Sequence, residues 1–488
     1  MIKAKQGDEN PCKSEAIMGE ITEKLVDFVI TAKFSDLPHG VVHEAKRVLL
    51  DSIGCAIGGL STDMGRIAVE LAKRLGGPCE STIIGTGDMV SCTNAAFANG
   101  ELINALDFDA MCTGHKTPVV IAGSLALIEN AHASGEDLLL AIALGYETAI
   151  RLRYAGEDYM AITKEEPDKV KVRRSKVSDT ASATIAVAAS TGKILNLDRE
   201  KMANAIGIAG YIFLPNIGNR FFYVSPIRMT KYAVSGWGTQ AGVTSALLAQ
   251  MGFTGDTEVL DGEICFWEYT GHQYWDAKRL LEELGRKWLH KISYKQYPTN
   301  MPMAGALDCF IQIIEENDIQ PEEIQKITAR ITPLPQYKHM HQNKLRTPLD
   351  FHFNIPYAMA CAAHRINPAH WIDQDVRQDQ KLREFMQRVE FEIGSDENAF
   401  GLAMLADSNA SLASAEVVAK GKTFKKKTLH NKGSWEQEFR NTDEELVEKF
   451  RENVSRVLPL DKADKVVRAV FELEKLENAA ELMKMVAP

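Results

Sequence analysis

Apolar positions along the chain fall into two regimes. Over roughly the first 280 residues they recur at helical spacing or form long small-residue runs. Ile21, Leu25, Phe28 and Val29 mark a first helix. Val41 to Leu60 reads as a second, with a basic start and an apolar end whose glycines, Gly54, Gly58 and Gly59, point to close helix packing. Thr93–Ile103 and Pro118–Ala133 follow as apolar helices. Ser134-Gly-Glu-Asp137 opens another through a capping-box pattern and runs to about Tyr154. The charged stretch 155–178 reads as a loop, Thr180–Thr191 as a tightly packed central helix, and Asp198 as the cap of the next. Asn216–Ser225 reads as irregular. Arg228-Met-Thr-Lys231 leads into a small-residue helix, Ala233–Met251, ended by Gly252-Phe-Thr-Gly255.

Near Lys291 the period changes. Ile292–Pro298 reads as extended, Lys326–Ile331 and Gln387–Ile393 as strands, and Ala415–Ala419 with Thr423–Lys427 as a hairpin around Lys420-Gly421-Lys422. Helices are expected at about 301–315 and 352–366. Thr442-Asp-Glu-Glu445 is a capping box, after which the chain is amphipathic helix to its end. The expected architecture is therefore mainly α: a large all-α helical domain with a smaller inserted α+β lid domain. Residues 1–287 form the first part of the helical domain, 288–438 the lid, and 439–488 the helices that return.

Composition narrows the function. A formal net charge of −10 over 488 residues argues against nucleic acid as the partner, and no apolar run reaches membrane-spanning length. The 8 cysteines are scattered, with no Cys-x-x-Cys spacing, which disfavours iron–sulfur or zinc-ribbon sites and suits a cytoplasmic protein. Gly85-Thr-Gly87-Asp-Met-Val90 lacks the third glycine and downstream acid of a dinucleotide fingerprint, so no nicotinamide cofactor is expected. His339-Met-His341 has strand spacing but no surrounding ligand cluster, so no metal is expected.

The densest chemistry lies in the turn between two apolar helices, Asn104-Ala-Leu-Asp107-Phe-Asp109-Ala-Met-Cys-Thr-Gly114-His115-Lys116. Taken as composition alone, this is an ordinary Asp/Gly loop. At the mouth of a helical core, the same residues can be half desolvated and used for proton transfer. Asp107 or His115 could be the base, each orienting the other. Lys231 places an ammonium at a helix start, where the helix dipole disfavours it and a bound carboxylate would justify it. Arg228, and Lys176 in the charged loop, could grip a second carboxylate.

In order and spacing, Ala45-Lys-Arg-Val-Leu-Leu-Asp51-Ser-Ile-Gly54, Leu106-Asp-Phe-Asp109 with Gly114-His115, Lys231, and Asn354-Ile-Pro-Tyr357-Ala-Met-Ala resemble the MmgE/PrpD family. That family comprises 2-methylcitrate dehydratases, cis-aconitate decarboxylases and iminodisuccinate epimerases. The likeness spans about Glu20 to Met485. It implies a homodimer and cofactor-free chemistry on di- and tricarboxylates. It also implies catalytic roles for Asp107, His115, Lys231 and the lid tyrosine Tyr337, with Asp109 beside them as a substrate contact. Three positions depart from the decarboxylases: Met111 where they carry threonine, Thr113 where a first histidine falls, and Lys176 or Val177 in place of another. The expected reaction is hence dehydration of a 2-methylcitrate-like substrate. Decarboxylation, or epimerisation of a dicarboxylate such as iminodisuccinate, is the alternative. A non-catalytic helical scaffold is the reading from a different class.

Overall fold

A computed structural model describes residues 20–488 apart from 113, 157–159, 167–168, 175–179, 213–219, 222–223, 233, 273–274, 289–290, 332–344, 395–396 and 407–411. It is mainly helical. The helices of the first half are α1 (Glu20–Thr31), α2 (His39–Gly59), α3 (Asp63–Leu75), α4 (Cys92–Asn104), α5 (Thr117–Ala126), α6 (Gly135–Ala155), α7 (Thr180–Ile194), α8 (Arg199–Tyr211) and α9 (Val234–Gln250). Their starts follow the capping chemistry. Ser134 accepts from Asp137 N and completes a capping box, and Asp198 accepts from Lys201 N.

Small residues set how closely these helices approach. A Cβ on Gly59 would meet the Leu102 carbonyl at 2.4 Å, and one on Gly58 would meet Leu106 at 2.9 Å, so α2 packs against α4 and the turn after it. Val187 of α7 lies under Gly123 of α5 and Gly242 of α9 in the same way, at 2.6 and 2.5 Å. The central position expected of α7 is thus met, with its neighbours giving way through glycine.

Three features of the first half differ from expectation. Helix α3, a strongly amphipathic segment capped by Thr62, is an additional element. The segment Ser81–Gly85 is only a two-residue strand, β1 (Ser81–Thr82), paired antiparallel with β2 (Met89–Val90). Gly85 and Gly87, with φ of 77° and 75°, make the turn between them, so this segment is no strand-to-helix phosphate loop. The stretch read as a loop contains an antiparallel hairpin, β3 (Met160–Glu166) with β4 (Lys169–Arg174). Its alternation of Ile162, Val170 and Val172 with polar residues is the strand signal, and charge density obscures it.

The second half carries a four-stranded sheet of β5 (Ile324–Ile331), β6 (Val389–Ile393), β7 (Ala413–Ala419) and β8 (Lys422–Thr428), ordered β6-β5-β7-β8. β5 runs parallel to β6 and antiparallel to β7. The β7–β8 turn is tighter than expected: Lys420 and Gly421 alone form it, at φ of 52° and 69°, and Lys422 already pairs with Ala419. Helices Ala304–Glu316 and Ile355–Ala363 cover this sheet and share its apolar core. The returning helix Asp443–Val454 begins in the capping box of Thr442 and Glu445. Its Leu446, Phe450 and Val454 join the core that holds α2, α4 and α5.

Two glycines on α9 separate crowding from propensity. Gly242→Ala drives a methyl into Thr184 O (2.7 Å) and Val187, and should cost about 1–3 kcal/mol. Gly238→Ala, whose nearest neighbour is 3.6 Å away, should instead stabilise by about 0.5–1 kcal/mol. Denaturant unfolding of the two variants checks the opposite signs.

Candidate active site

Helix α4 ends at Asn104, and the chain turns sharply at Asp107, whose φ of 50° is left-handed. Asp tolerates that conformation better than most residues, but it still needs support. Three contacts supply it. Lys295 Nζ donates to the Asp107 carbonyl at 2.7 Å and pairs with its Oδ1 at 2.5 Å. Lys449 Nζ donates to the Phe108 carbonyl at 2.7 Å and pairs with Asp51 Oδ1 at 2.7 Å. Ala110 N donates to Asp51 Oδ2 at 2.9 Å. Further on, Met111 and Ser293 exchange backbone hydrogen bonds at 2.7 and 2.9 Å, which fixes the extended segment carrying Lys295 against the turn. Helix α2, the middle of the chain and the returning helix therefore all clamp one turn.

Asp107 and Asp109 are both fully buried. His115 Nδ1 lies 3.0 Å from Asp109 Oδ2, and Asn104 Nδ2 donates to Asp109 Oδ1 at 2.8 Å. Ser235 of α9 in turn donates to Asn104 Oδ1 at 3.1 Å. With Asp109 accepting from Nδ1–H, the other ring nitrogen, Nε2, is the one left for chemistry. It stands 3.3 Å from both Asp107 Oδ1 and Lys231 Nζ. The His115 side chain is 22% exposed where the two aspartates are 0%, so the cluster opens to solvent through the imidazole.

Lys231 sits in a 3-10 turn, Met229–Lys231, just ahead of α9. Its side chain is 4% exposed and its ammonium lies 3.5 Å from Asp107 Oδ1. Phe221, Tyr232 and Phe353 surround it, with the Tyr232 ring centroid at 3.8 Å. Burial pulls its pKa down to about 8 against the pull of Asp107. Burial opposes the charge of Asp107 too, but the Lys231 and Lys295 ammonium groups and the His115 hydrogen bond outweigh it and hold that carboxyl well below its usual range. Asp109 is lowered chiefly by His115, again against burial.

Asp107, Asp109 and His115 place possible ligand atoms within 4.8 Å of one another, a spacing that suits a divalent cation. Two ammonium groups already stand against Asp107, and a divalent cation there would be repelled by both. The donor set fits the lysines better than it fits a metal.

The structure brings Asp107, Asp109, His115 and Lys231 together in one cluster. Arg228 is exposed at the head of the 3-10 turn, outside the buried cluster. Tyr337, Lys176 and the His339/His341 pair lie outside the described residues. Lys295, Tyr232 and His352 were not foreseen. His352 donates from Nδ1 to the Pro298 carbonyl at 2.7 Å, and burial pushes its pKa down to about 4, so it is neutral. The available signal for Lys295 was a lysine between aromatic residues in Ser293-Tyr-Lys-Gln-Tyr297.

A mainly helical protein with paired carboxylates, an oriented imidazole and two buried ammonium groups has the equipment of a proton-transfer enzyme. Residues 23–274 match the MmgE/PrpD N-terminal domain and residues 297–473 the MmgE/PrpD C-terminal domain. The chain belongs to the MmgE/PrpD family, and it is a lyase. Cis-aconitate decarboxylase of Homo sapiens is 26% identical over 96% of this chain and 94% of its own length. The Mus musculus enzyme of the same name is 24% identical over the same shares. Cis-aconitate decarboxylase of Aspergillus terreus is 27% identical over 39% of this chain and 38% of its own length. Among the described residues no helix is long and apolar enough to cross a membrane.

The Asp51–Lys449 pair beneath the turn yields a stability test. Lys449→Met strands a buried carboxylate and should cost about 3–5 kcal/mol. Adding Asp51→Asn should return much of that loss, because no unpaired charge then remains. Strictly additive losses in a double-mutant cycle would show that the pair does not act as a unit.

Proposed function

We propose that this lyase removes a proton next to a carboxylate of a di- or tricarboxylate and expels a β-hydroxyl, in a 2-methylcitrate dehydratase-like reaction without a cofactor. The observation that carries this reading is the His115 imidazole. Its Nδ1 lies between Asp109 Oδ2 and Asn104 Nδ2, at 3.0 and 2.9 Å, its Nε2 faces Asp107 and Lys231, and its side chain is 22% exposed beside two fully buried aspartates. His115 Nε2 is the base. Asp107, held well below the usual carboxylate range, is a poor proton acceptor and instead anchors both lysines. Lys231 takes the substrate carboxylate as charge builds on it, and Lys295 keeps Asp107 in place. The two carboxylates and two ammonium groups balance in formal charge, so a bound carboxylate is met by an ammonium with no excess negative charge nearby.

Residues 288–438 act in this reading as a lid that excludes water, with Tyr337 protonating the leaving hydroxide. Arg228 and Lys176 are the cations assigned to a further carboxylate on side-chain chemistry alone, Arg228 standing exposed outside the buried cluster. The family resemblance supports a homodimer, and the scattered cysteines of the sequence fit a cytoplasmic setting. Decarboxylation of cis-aconitate is the second reading, favoured by the activity of the two relatives that cover nearly the whole chain. The replacements at Met111, Thr113 and Lys176/Val177 weigh against it.

Incubation with 2-methylcitrate, citrate and cis-aconitate decides between the readings. Dehydration gives a conjugated alkene visible in the ultraviolet, and His115→Gln should lower its rate by about 10²–10⁴-fold. Carbon dioxide release from cis-aconitate would establish decarboxylation instead, and solvent deuterium entering an unchanged substrate would establish epimerisation. Carboxylate affinity should also depend on pH. Lys231 is charged below about pH 8, so binding should be strong there and fall as pH rises through that value. Lys231→Arg should carry binding to higher pH.

A further inference from the structure

Two buried polar atoms of the cluster make no hydrogen bond of ordinary geometry among the described residues, the Tyr232 hydroxyl and Asp107 Oδ2, although the phenol interacts with the Asp107 carboxylate. Tyr232 is fully buried. Its ring lies 3.8 Å below the Lys231 ammonium, with the His115 and His352 rings edge-on at 6.4 and 6.2 Å. The other oxygen of Asp107 is taken by Lys295, with Lys231 and His115 close by. These two atoms therefore belong to residues that share Lys231 and His115 as neighbours, and they are of opposite kind, one a donor and one an acceptor. A phenol kept only for packing would be expected to find a partner when buried or to be replaced by phenylalanine.

Resting on the proton-transfer reading above, we infer that Tyr232 is a further catalytic residue and that it selects a hydroxy-carboxylate. Its phenol donates to the substrate carboxylate oxygen on which charge builds as the adjacent carbon loses its proton. Asp107 Oδ2 accepts from the substrate hydroxyl. The phenol is suited to this because it stays protonated: burial, and then the charge of Asp107, push its pKa well above the ordinary value. It is a donor at every pH at which Lys231 is an ammonium, and it stands beside that ammonium without competing for the same proton. A fixed donor aimed at developing negative charge is worth more in a buried site than in water. A carboxylate that becomes enolate-like carries charge on two oxygens, so a second donor beside Lys231 adds to its stabilisation.

Tyr232→Phe tests this with little risk to the fold, because the ring that packs under Lys231 is kept. Thermal unfolding of the variant should be close to that of the parent, since the phenol makes no hydrogen bond of ordinary geometry within the protein. Citrate affinity by calorimetry should fall less than about tenfold, and kcat on the reactive hydroxy-tricarboxylate should fall by about 10²–10³-fold. Propane-1,2,3-tricarboxylate, which lacks the hydroxyl, should bind the parent more weakly than citrate. Unchanged kcat in Tyr232→Phe overturns the assignment, whether or not affinity falls. A marked drop in unfolding temperature also overturns it, because the hydroxyl would then have a partner within the protein. If the parent binds neither citrate nor the desoxy analogue, the carboxylate reading itself fails and this inference goes with it. If the parent binds and turns over substrate but the variant matches it, only the inference fails.

Discussion

The contact on which the rest depends is the Lys295–Asp107 pair. It joins the helical half of the chain to the extended segment that begins the second half, at a residue whose backbone is left-handed. A left-handed aspartate in a buried turn is not stable by itself. It persists because a lysine binds its carbonyl and its carboxylate together, while the Met111–Ser293 backbone bonds hold that lysine in register. Once the turn is set, Asp109 faces His115 Nδ1, and Nε2 is left toward Asp107 and Lys231. The geometry of the imidazole is thus a consequence of an ion pair made almost 190 positions along the chain.

Electrostatics then explain why so much charge can be buried in one place. Each member of the cluster would suffer heavily from desolvation if it were alone. Together, two carboxylates and two ammonium groups cancel, and the imbalance shows only in the group with the fewest fixed contacts. That group is Lys231. Burial weakens its hold on its proton and brings its pKa to about 8 against the pull of Asp107, and its ammonium lies over the Tyr232 ring. It is the cation best placed to exchange its partner for a ligand. The Asp51–Lys449 pair serves the opposite end: it is committed entirely to protein groups and supports the turn from behind.

Much of this was legible in the sequence, and for identifiable reasons. The turn stood out because Asp107, Asp109 and His115 lie within nine consecutive residues between two apolar helices. Lys231 stood out because an ammonium breaks a small-residue run. Caps and glycine contacts were readable because they are local. What escaped was long-range or disguised. Lys295 looked like any lysine in an extended, aromatic stretch, since its burial depends on a partner far away in sequence. Tyr232 was hidden by Lys231, its own neighbour. The β3–β4 hairpin was read as a loop because charged residues mask its alternation, and Arg228, adjacent in sequence to the key lysine, is turned out to solvent. Proximity along the chain is a poor guide to membership of a site assembled from four separate segments.

The most direct test of the central claim is a crystal structure with a bound tricarboxylate. The account predicts one carboxylate within hydrogen-bond distance of Lys231 Nζ, and His115 Nε2 facing a carbon-bound hydrogen next to it. Lys295 should remain on Asp107. A ligand bound elsewhere, or one that draws Lys295 away from Asp107 while leaving Lys231 untouched, would contradict it.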